Sequence, residues 1–451
     1  MTRAAPNVGA GRTGSADAAE RWLLSLELFG MRFGLDRMRR LMTALDAPHE
    51  RFAAIHVVGT NGKSSTVRMI AALLHHHGVR SGAYLSPHLV SFAERIRVDG
   101  ADISQQSFAA AVGRARRATQ LVNRTLDADD GVTQFEALTA AAYAQLAEAG
   151  VEVAVVEAGL GGRWDATNVI DARIAVLTNV GLEHTRWLGP TVADIAREKL
   201  AVVAPGATLV LGPDLHPDAD AEARQVAERQ GATIVRAPAA PPGGVELVAR
   251  GAFQRRNFAV ACVAAEAYLG RLDDGAVRAA AASTVVPGRF EVRDGPGAGP
   301  GAPDDCVEVV LDGAHNAGGI EAIAGSLPEF LAGRPLVAVL SVLADKDAAA
   351  MLTTLLPLCA GIVFCANHNP RALSPATLAS LAGQIGAGGW DGATRVEADP
   401  HRAVVLARRL AAQLAAARPA GAGGGVVLAT GSIYLIADLV RPAGSGQGST
   451  L

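Results

Sequence analysis

Short apolar runs alternate with amphipathic segments along most of this chain. The runs are too short for helices and end in polar residues or glycines, which is typical of buried parallel strands. In the first half, strands are predicted at 55–58, 82–85, 151–157, 174–178, 207–211 and 232–235, and helices over about 19–45 (broken at 29–34), 104–124 and 134–149. This order predicts β-α-β units around a mostly parallel sheet.

The alternation restarts after residue 286, and a glycine- and proline-rich stretch at 294–301 is unsuited to regular structure. Beyond it, strands are predicted at 307–312, 336–341, 361–365, 393–397 and 425–430, with four helices between them. We therefore expect three parts: a loose, disordered tail (1–18), a larger α/β domain (19–286), and a smaller, Rossmann-like α/β domain (287–451).

The junction between the first strand and the following helix has the composition of a phosphate-binding turn. It reads Gly59-Thr60-Asn61-Gly62-Lys63-Ser64-Ser65 and is two residues shorter than the pattern G-x-x-x-x-G-K-[ST]. Glycines let backbone N–H groups approach a phosphate, the lysine neutralises the outer phosphates, and a hydroxyl can reach Mg²⁺. The alternative is an ordinary turn with a solvated lysine. We favour a P-loop nucleotide-binding domain.

Composition removes several classes of function. The chain has 451 residues and a formal net charge of −3, which argues against a nucleic-acid partner. No apolar run reaches the ~20 residues of a membrane helix, and the first twenty residues do not resemble a signal peptide. The cysteines (Cys262, Cys306, Cys359 and Cys365) form no C-x-x-C pair, so a cytoplasmic location is expected.

Polar residues stand where several predicted strands end. Ser86, Glu157, His184 and Asp312 all hold such positions. Ligands of open parallel sheets bind beyond these carboxyl ends, and carboxylate oxygen is a preferred Mg²⁺ ligand. Glu157 could instead be a solvent-facing carboxylate and His184 a structural histidine, but their shared edge favours metal ligation.

Lys199 interrupts the apolar face of a predicted helix. Val192, Ile195, Ala196 and Val203 share its side at helical spacing. A buried lysine has a lowered pKa and a partly neutral amine, which can pair with a carboxylate, act as a base or be carbamylated by CO₂. The alternative is that Lys199 extends to the surface beside Glu198.

The second domain supplies further polar groups. Asp312 and His315 lie in one turn after a strand, and Arg289 follows Pro287-Gly288. We expect Asp312 and Arg289 to hold the nucleotide opposite the phosphate-binding turn, which predicts chemistry in a cleft between the domains.

Taken together, these motifs resemble the folylpolyglutamate synthase/dihydrofolate synthase family of the Mur ligase superfamily. The resemblance runs from about residue 32 to residue 432. It rests on Gly59-Thr60-Asn61-Gly62-Lys63, Ser86-Pro87-His88-Leu89, Glu94-Arg95-Ile96, Glu157 with Gly159-Leu160-Gly161-Gly162-Arg163 and Asp165-Ala166-Thr167-Asn168, Glu183-His184, Glu198-Lys199, Pro287-Gly288-Arg289-Phe290, and Asp312 with Ala314-His315-Asn316.

The resemblance implies an ATP-dependent ligase that adds L-glutamate to a folate or dihydropteroate carboxylate through an acyl phosphate. It implies that residues 59–65 bind ATP phosphates and that Asn257, Arg289 and Asp312 contact the nucleotide. It also implies two Mg²⁺ ions, one held by Ser86 and Glu157 and one by His184 and Glu157. Lys199 matches a lysine that the family carbamylates, and His315 would lie near the incoming amino acid or phosphate. A monomer with small-molecule substrates is expected, without nucleic acid or membrane.

This chain departs from the family pattern at four points. Ser64 replaces a glycine, so which of Ser64 and Ser65 faces Mg²⁺ is open. Trp164 replaces a leucine, Leu200-Ala201 replaces Ala-Gly, and Ala317 replaces a proline. Phe135 and Glu136 are candidates for contacting the pterin-bearing substrate, although a core aromatic with a capping carboxylate is equally consistent with the pattern.

Two other functions stay open. One is another Mur-type ligase that joins a different acid to an amino acid, such as a cell-wall precursor ligase. The other is a nucleotide-binding regulatory protein with a degenerate site, against which the presence of Lys63, Glu157, His184 and Lys199 argues.

Overall fold

Two sheets, each covered by helices, form the two lobes of the chain. The computed structural model describes residues 14–26, 34–294, 307–386, 388–419 and 423–441. Both sheets are mostly parallel, and this confirms the predicted α/β class with a P-loop domain and a smaller C-terminal α/β domain.

The N-terminal lobe contains an eight-stranded sheet in the order β4-β3-β2-β5-β1-β6-β7-β8. Its strands are β1 (Ala53–Val58), β2 (Ser81–Tyr84), β3 (Ile96–Val98), β4 (Ala101–Asp102), β5 (Val153–Glu157), β6 (Ile174–Leu177), β7 (Thr208–Leu211) and β8 (Thr233–Arg236). The pairs from β2 to β8 are parallel, whereas β3 and β4 pair antiparallel at one edge.

Ten helices accompany this sheet in the described ranges of the lobe. They are α1 (Gly14–Ser25), α2 (Asp36–Ala44), α3 (Lys63–His76), α4 (Gln105–Asn123), α5 (Gln134–Glu148), α6 (Thr185–Leu188), α7 (Val192–Leu200), α8 (Pro217–Gln230), α9 (Ala252–Leu269) and α10 (Asp274–Ser283).

Successive side chains of the central strand β1 serve two cores, because they point to opposite faces. Ile55 and Val57 pack with Phe258 of α9 in one cluster. Ala54 packs with Tyr143 of α5 in the other. Burial on both faces explains why the strands read as continuous apolar runs.

The C-terminal lobe contains a six-stranded sheet in the order β13-β12-β11-β14-β10-β9. Its strands are β9 (Glu291–Asp294), β10 (Glu308–Leu311), β11 (Leu336–Leu340), β12 (Gly361–Phe364), β13 (Ala393–Val396) and β14 (Val426–Thr430). Its helices are α11 (Ala317–Ala324), α12 (Leu327–Leu331), α13 (Ala348–Leu355), α14 (Pro375–Gly386), α15 (Pro400–Ala416) and α16 (Ile433–Val440).

The five strands predicted for this lobe are present as β10 to β14, but the predicted counts of five strands and four helices were too low. β9 is a sixth strand, which pairs antiparallel with β10 at the sheet edge. Its sequence, Glu-Val-Arg-Asp, has one apolar residue and carries no strand signal, because an edge strand can expose polar side chains. The short helix α12 and the C-terminal helix α16 were also not predicted.

The predicted domain limits can be compared with these elements. Helix α1 begins at Gly14, so the limit placed at residue 18 for the tail falls inside that helix. The limit near residue 286 falls between α10 and β9. Residues 1–13, most of the predicted break at 29–34 and most of the stretch at 294–301 lie outside the described residues, as does Cys306. Among the helices that are described, none has the length and apolar character needed to cross a membrane.

Candidate active site

The central strands of the first sheet bring the predicted site residues to one edge. β2, β5, β1 and β6 are neighbours in that order. Their carboxyl ends lead to Ser86, Glu157, the turn at 59–65 and Thr178. The strand-end argument therefore gathered residues that are far apart in sequence but adjacent in the fold.

The turn at 59–65 is held against residues that follow β6. The amide of Asn61 donates to Asn179 Oδ1 at 2.9 Å, and Thr178 Oγ1 donates to Asn61 O at 2.7 Å. A Cβ on Gly59, whose φ is +152°, would overlap Thr178 Oγ1. Gly62 has a φ of +83°, and a Cβ there would lie 2.5 Å from Asn257 Oδ1. The turn thus requires both glycines, and it ends at the N-terminus of α3, where backbone N–H groups are available to an anion.

Two lysines converge on one carbonyl of the turn. Lys63 Nζ donates to Gly59 O and to Thr60 O, both at 3.1 Å. Lys199 Nζ donates to Gly59 O at 2.9 Å. Lys199 is buried, with 5% of its surface exposed, so the alternative of a surface lysine beside Glu198 is wrong. Burial, reinforced by the charge of Lys63, lowers the pKa of Lys199 to about 7.

Glu157 lies at the centre of an oxygen-rich group. Its Oε1 accepts a hydrogen bond from Ser64 Oγ at 2.9 Å, and its Oε2 accepts one from the amide of Ser86 at 3.1 Å. Burial raises the pKa of this carboxyl, while the charge of Lys63 opposes the rise. Ser64 Oγ also lies 3.4 Å from Ser86 O. Of the two turn serines, it is therefore Ser64 whose hydroxyl contacts the carboxylate.

This donor set fits a small hard cation. One carboxylate and two serine oxygens are available, and no group of three or more His, Cys, Asp or Glu side chains that could hold a metal exists in the part of the chain described. Mg²⁺ commonly takes one or two carboxylates and completes its octahedron with phosphate and water oxygens. The site is therefore suited to Mg²⁺ that arrives with a nucleotide.

His184 lies in the left-handed region (φ +52°) at the start of α6. Burial lowers its pKa to about 4, so the imidazole is neutral and can ligate a metal. In the described ranges its contact with a carboxylate is to Glu183, at 3.9 Å from its Nε2. Its assignment as a second metal ligand stays a prediction.

The buried Asp312 fixes the turn that carries the C-terminal site residues. Its two oxygens accept hydrogen bonds from the amides of Phe290 and Ala314, each at 2.8 Å. Burial raises the pKa of Asp312, and the nearby Arg289 opposes that rise. His315 Nδ1 lies 2.9 Å from Gly313 O, which orients the ring towards the N-terminal lobe.

The lobes touch directly at the phosphate-binding turn. Asn61 and Asn316 exchange two side-chain hydrogen bonds, of 3.3 and 3.1 Å. Glu183 Oε1 lies 3.3 Å from His315 Nε2 and 3.1 Å from Lys346 Nζ. Burial alone would raise the pKa of Glu183, but the contacts with His315 and Lys346 lower it.

One cavity of about 940 Å³ lies between the lobes. Most of the predicted site residues line it: Thr60, Asn61, Gly62, Lys63, Ser64, Ser65, Ser86, Glu157, His184, Asn257, Arg289, Asp312 and His315. Gly59 and Lys199 are not among the lining residues and lie behind the turn, joined by their hydrogen bond. This is the cleft that the sequence predicted.

Some residues that line the cavity were not predicted from the sequence, and a structural role is sufficient for one residue that was. Lys346 and Tyr434 line the cavity but were not singled out. Lys346 could have been found, because it follows β11 at the carboxyl end of its sheet. Glu136 lines the cavity too, but it caps α5 through Thr133 and accepts from Arg37 Nε at 3.0 Å. A capping role therefore accounts for Glu136, while Phe135 lines the cavity as a substrate candidate.

Two family models match this chain. The Mur ligase middle domain matches residues 57–233, and the Mur ligase glutamate ligase domain matches residues 288–433. The two regions lie on the two lobes described above.

Individual proteins are similar over most of the chain. The dihydrofolate synthase/folylpolyglutamate synthase of Mycobacterium tuberculosis is 36% identical over 388 residues, which cover 78% of this chain and 77% of that protein. A crystal structure of M. tuberculosis folylpolyglutamate synthase with ADP and AMPPCP has a TM-score of 0.83 and 32% identity, over 97% of this chain and 100% of that one. The bifunctional folylpolyglutamate synthase/dihydrofolate synthase of Yersinia pestis, complexed with AMPPNP and a Mn ion, has a TM-score of 0.77 and 26% identity, over 96% and 98%.

Proposed function

This chain belongs to the folylpolyglutamate synthase/dihydrofolate synthase family of Mur ligases, and on that premise we propose how its residues carry out ATP-dependent ligation of L-glutamate to a folate-class carboxylate. The observation that carries the proposal is the meeting of the phosphate-binding turn, Glu157 and the C-terminal residues around one cavity. Its volume of about 940 Å³ is within the range of ligand sites.

The nucleotide is bound first by the turn at 59–65. Its backbone N–H groups and Lys63 face the triphosphate, and α3 adds the favourable field of its N-terminus. Asn257, which lies against Gly62, and Arg289 and Asp312 of the other lobe line the rest of the nucleotide site. We propose that these three residues contact ATP.

Ser86, Glu157 and the hydroxyl of Ser64 would hold a first Mg²⁺ ion. His184 would hold a second ion together with Glu157. When bound, Mg²⁺ supplies positive charge that offsets the charge developing on the transferred phosphoryl group. The burial of Glu157 supports this assignment, because burial disfavours the charged carboxylate and a bound cation would offset that cost.

The ligation proceeds in two steps. An oxygen of the acceptor carboxylate attacks the γ-phosphorus of ATP, which forms an acyl phosphate and releases ADP. The neutral amine of L-glutamate then attacks the acyl carbon, and inorganic phosphate leaves as the nitrogen loses a proton. Lys63 offsets charge in the first step, and the cleft holds acid and amine in contact for the second. His315, which is oriented by Gly313 O, lies on the amino-acid side.

We include carbamylation of Lys199 in this proposal. The neutral amine attacks CO₂, forms a C–N bond and releases a proton, which gives a carbamate anion. A pKa of about 7 supports it, because a substantial neutral fraction exists at physiological pH. Incubation with ¹³C-bicarbonate should give a carbamate carbon resonance in the wild-type protein that is absent from Lys199→Met. Equal spectra for the two proteins would remove this step.

The chain is proposed to act as a monomer, because both lobes of the cleft belong to one polypeptide. We also propose a cytoplasmic location, because Cys262, Cys359 and Cys365 are free, buried thiols.

The deciding experiment measures ADP release and product mass. Purified protein with ATP and Mg²⁺ is given L-glutamate together with dihydropteroate, with tetrahydrofolate, or with a UDP-linked muramyl acceptor. Glutamate should be added to one or both folate-class acids, and Glu157→Gln should abolish the addition. Product formed with the muramyl acceptor alone would favour the cell-wall ligase instead, and unchanged turnover in Glu157→Gln would refute the site.

A further inference from the structure

Arg95 is a buried cation that forms no ion pair with an acid in the part of the chain that the structure describes. It is 1% exposed and is the largest fully buried side chain described in the structure. A guanidinium has five N–H donors. In the described ranges, its side chain makes one hydrogen bond, from Nε to His88 Nδ1 at 2.9 Å, and a contact with the ring of Phe92 at 5.3 Å. Its Nη2 is buried and has no hydrogen-bond partner among the described residues.

The neighbouring acid forms no ion pair with Arg95 in the described structure. Glu94 is adjacent in sequence, but its carboxylate accepts from the backbone amides of Leu89, Val90 and Ser91, at 2.7 to 3.0 Å. No ion pair involves Arg95 among the residues that the structure describes. An unpaired buried charge is costly, and buried charges are normally paired or bound to a ligand. Burial lowers the pKa of Arg95 to about 10, a value that leaves it charged at neutral pH.

Arg95 lies on the wall of the cleft rather than deep in a core. It is one of the residues that line the cavity. Its carbonyl accepts from the amide of Leu85 at 2.8 Å, so it stands beside the start of the turn that carries Ser86. Burial lowers the pKa of Arg95 more than the charge of Glu157 acts to raise it. Tyr434 of the C-terminal lobe lines the same cavity. Arg95 therefore stands between the metal site and the C-terminal lobe.

We propose that Arg95 binds the carboxylate of the acceptor acid and holds it for attack on ATP. This inference rests on the proposed function and names a residue for the acceptor side of that site. A guanidinium binds a carboxylate through charge-assisted hydrogen bonds, and Arg95 has N–H donors beyond the one that it uses on His88.

The aromatic wall beside Arg95 favours the acceptor acid over the incoming amino acid. The ring of Tyr84 stacks on Phe135 with centroids 6.3 Å apart, and Phe135 lines the cavity. An acid with an aromatic body and a terminal carboxylate suits a cavity that is lined by the ring of Phe135 and by Arg95. L-Glutamate also carries carboxylates, so the experiment separates the two sources.

Steady-state kinetics of Arg95→Gln and Arg95→Lys test the assignment in the full-length protein. Loss of a hydrogen bond between charged groups is worth about 1.5–3 kcal/mol, or roughly 10- to 150-fold. Arg95→Gln should raise the KM for dihydropteroate by that factor and leave the KM values for L-glutamate and ATP within about threefold. Arg95→Lys should fall between Arg95→Gln and wild type. A rise confined to the KM for L-glutamate would overturn the choice of the acceptor.

Arg97 provides the matched control. It lies two residues further along, in β3, pairs with Asp102 and does not line the cleft. Arg97→Gln should leave all three KM values unchanged. If Arg95→Gln lowers the melting temperature but changes no KM, its role is only to tie the turn to His88 and the proposal fails.

A ligand-side measurement does not depend on turnover. Calorimetry with AMPPCP present compares dihydropteroate with its carboxamide, in wild type and in Arg95→Gln. The wild type should prefer the acid by roughly tenfold or more, and Arg95→Gln should not discriminate. Equal discrimination in both proteins would overturn the proposal. If the wild type ligates no acceptor at all, the proposed function fails, while the acid-to-amide comparison still reports on Arg95.

Discussion

Replacing Lys199 with methionine should change the pH dependence of stability in a way that other substitutions do not. Methionine keeps the length and apolar character of the side chain but removes the amine. The substitution gives up the hydrogen bond to Gly59 O, which still accepts from Lys63 at 3.1 Å. What is lost, therefore, is chiefly the cost of a buried charge.

The magnitude follows from the pKa. The ordinary lysine value is 10.5, and burial lowers that of Lys199 to about 7, so charging it in the fold costs about 5 kcal/mol. Because the folded pKa lies below the unfolded one, the unfolded chain binds the extra proton between about pH 7 and 10.5. The penalty is full below pH 7 and is relieved as the pH rises. Between pH 6 and pH 9 this group alone should add roughly 2–3 kcal/mol to the stability of the wild type.

Urea unfolding of both proteins at pH 6, 7, 8 and 9 measures this contribution. The buffers must be depleted of CO₂, because a carbamate would remove the amine from the titration. Subtracting the two free energies cancels the other titrating groups, so the advantage of Lys199→Met should shrink by roughly 2–3 kcal/mol from pH 6 to pH 9. A difference that stays flat across this range would show that Lys199 has no depressed pKa, and the argument for a neutral, CO₂-reactive amine would be lost.

Three other substitutions test the rest of the site. Gly62→Ala should weaken ATP binding by about tenfold or more, since its Cβ would lie 2.5 Å from Asn257 Oδ1. Gly78→Ala is the control, because Gly78 has a similar φ of +80° but open space around its Cβ position, and ATP binding should not change. Equal losses of ATP affinity in the two variants would contradict this reasoning. Glu157→Gln should raise the melting temperature of the metal-free protein, because burial disfavours the charged carboxylate. Its turnover should fall about 100-fold or more. A fall in both the melting temperature and the turnover would contradict the metal role. Lys346→Met should lower the free energy of unfolding in urea by about 1–3 kcal/mol through loss of the bond to Glu183. Lys346→Arg should restore part of this free energy. No change in Lys346→Met would show that the pair contributes nothing to stability.

Local patterns were sufficient where a structural element is decided by its own residues. Helix α5 was predicted at 134–149 and occupies Gln134–Glu148, because its capping residue and apolar face are local. Strand β1 and the turn at 59–65 were likewise readable from an apolar run followed by glycines. β9 was not, since an edge strand is specified by its partner β10 more than by its own four residues.

The residues of the candidate site also differ in how far the sequence alone could place them. Glu157 and Ser86 could be placed together, because strand ends of a parallel sheet share one edge. The free donors of Arg95 could not, since neither residue type nor spacing reveals which charges are left unpaired after packing. The choice between Ser64 and Ser65 was also beyond the sequence. It depends on which hydroxyl the first turn of α3 directs at Glu157.

The balance of charge in the cleft explains why these residues are arranged as they are. Lys63 and Lys199 share one carbonyl, and the charge of Lys63 helps lower the pKa of its neighbour. Arg95 adds a permanent cation whose side chain makes no ion pair among the described residues. Such an arrangement is unfavourable in the protein by itself and becomes favourable when a triphosphate and a carboxylate enter, because each brings the anion that a cation lacks. The free energy stored as unpaired charge is therefore recovered on binding, which favours the two anionic substrates over neutral molecules of the same shape.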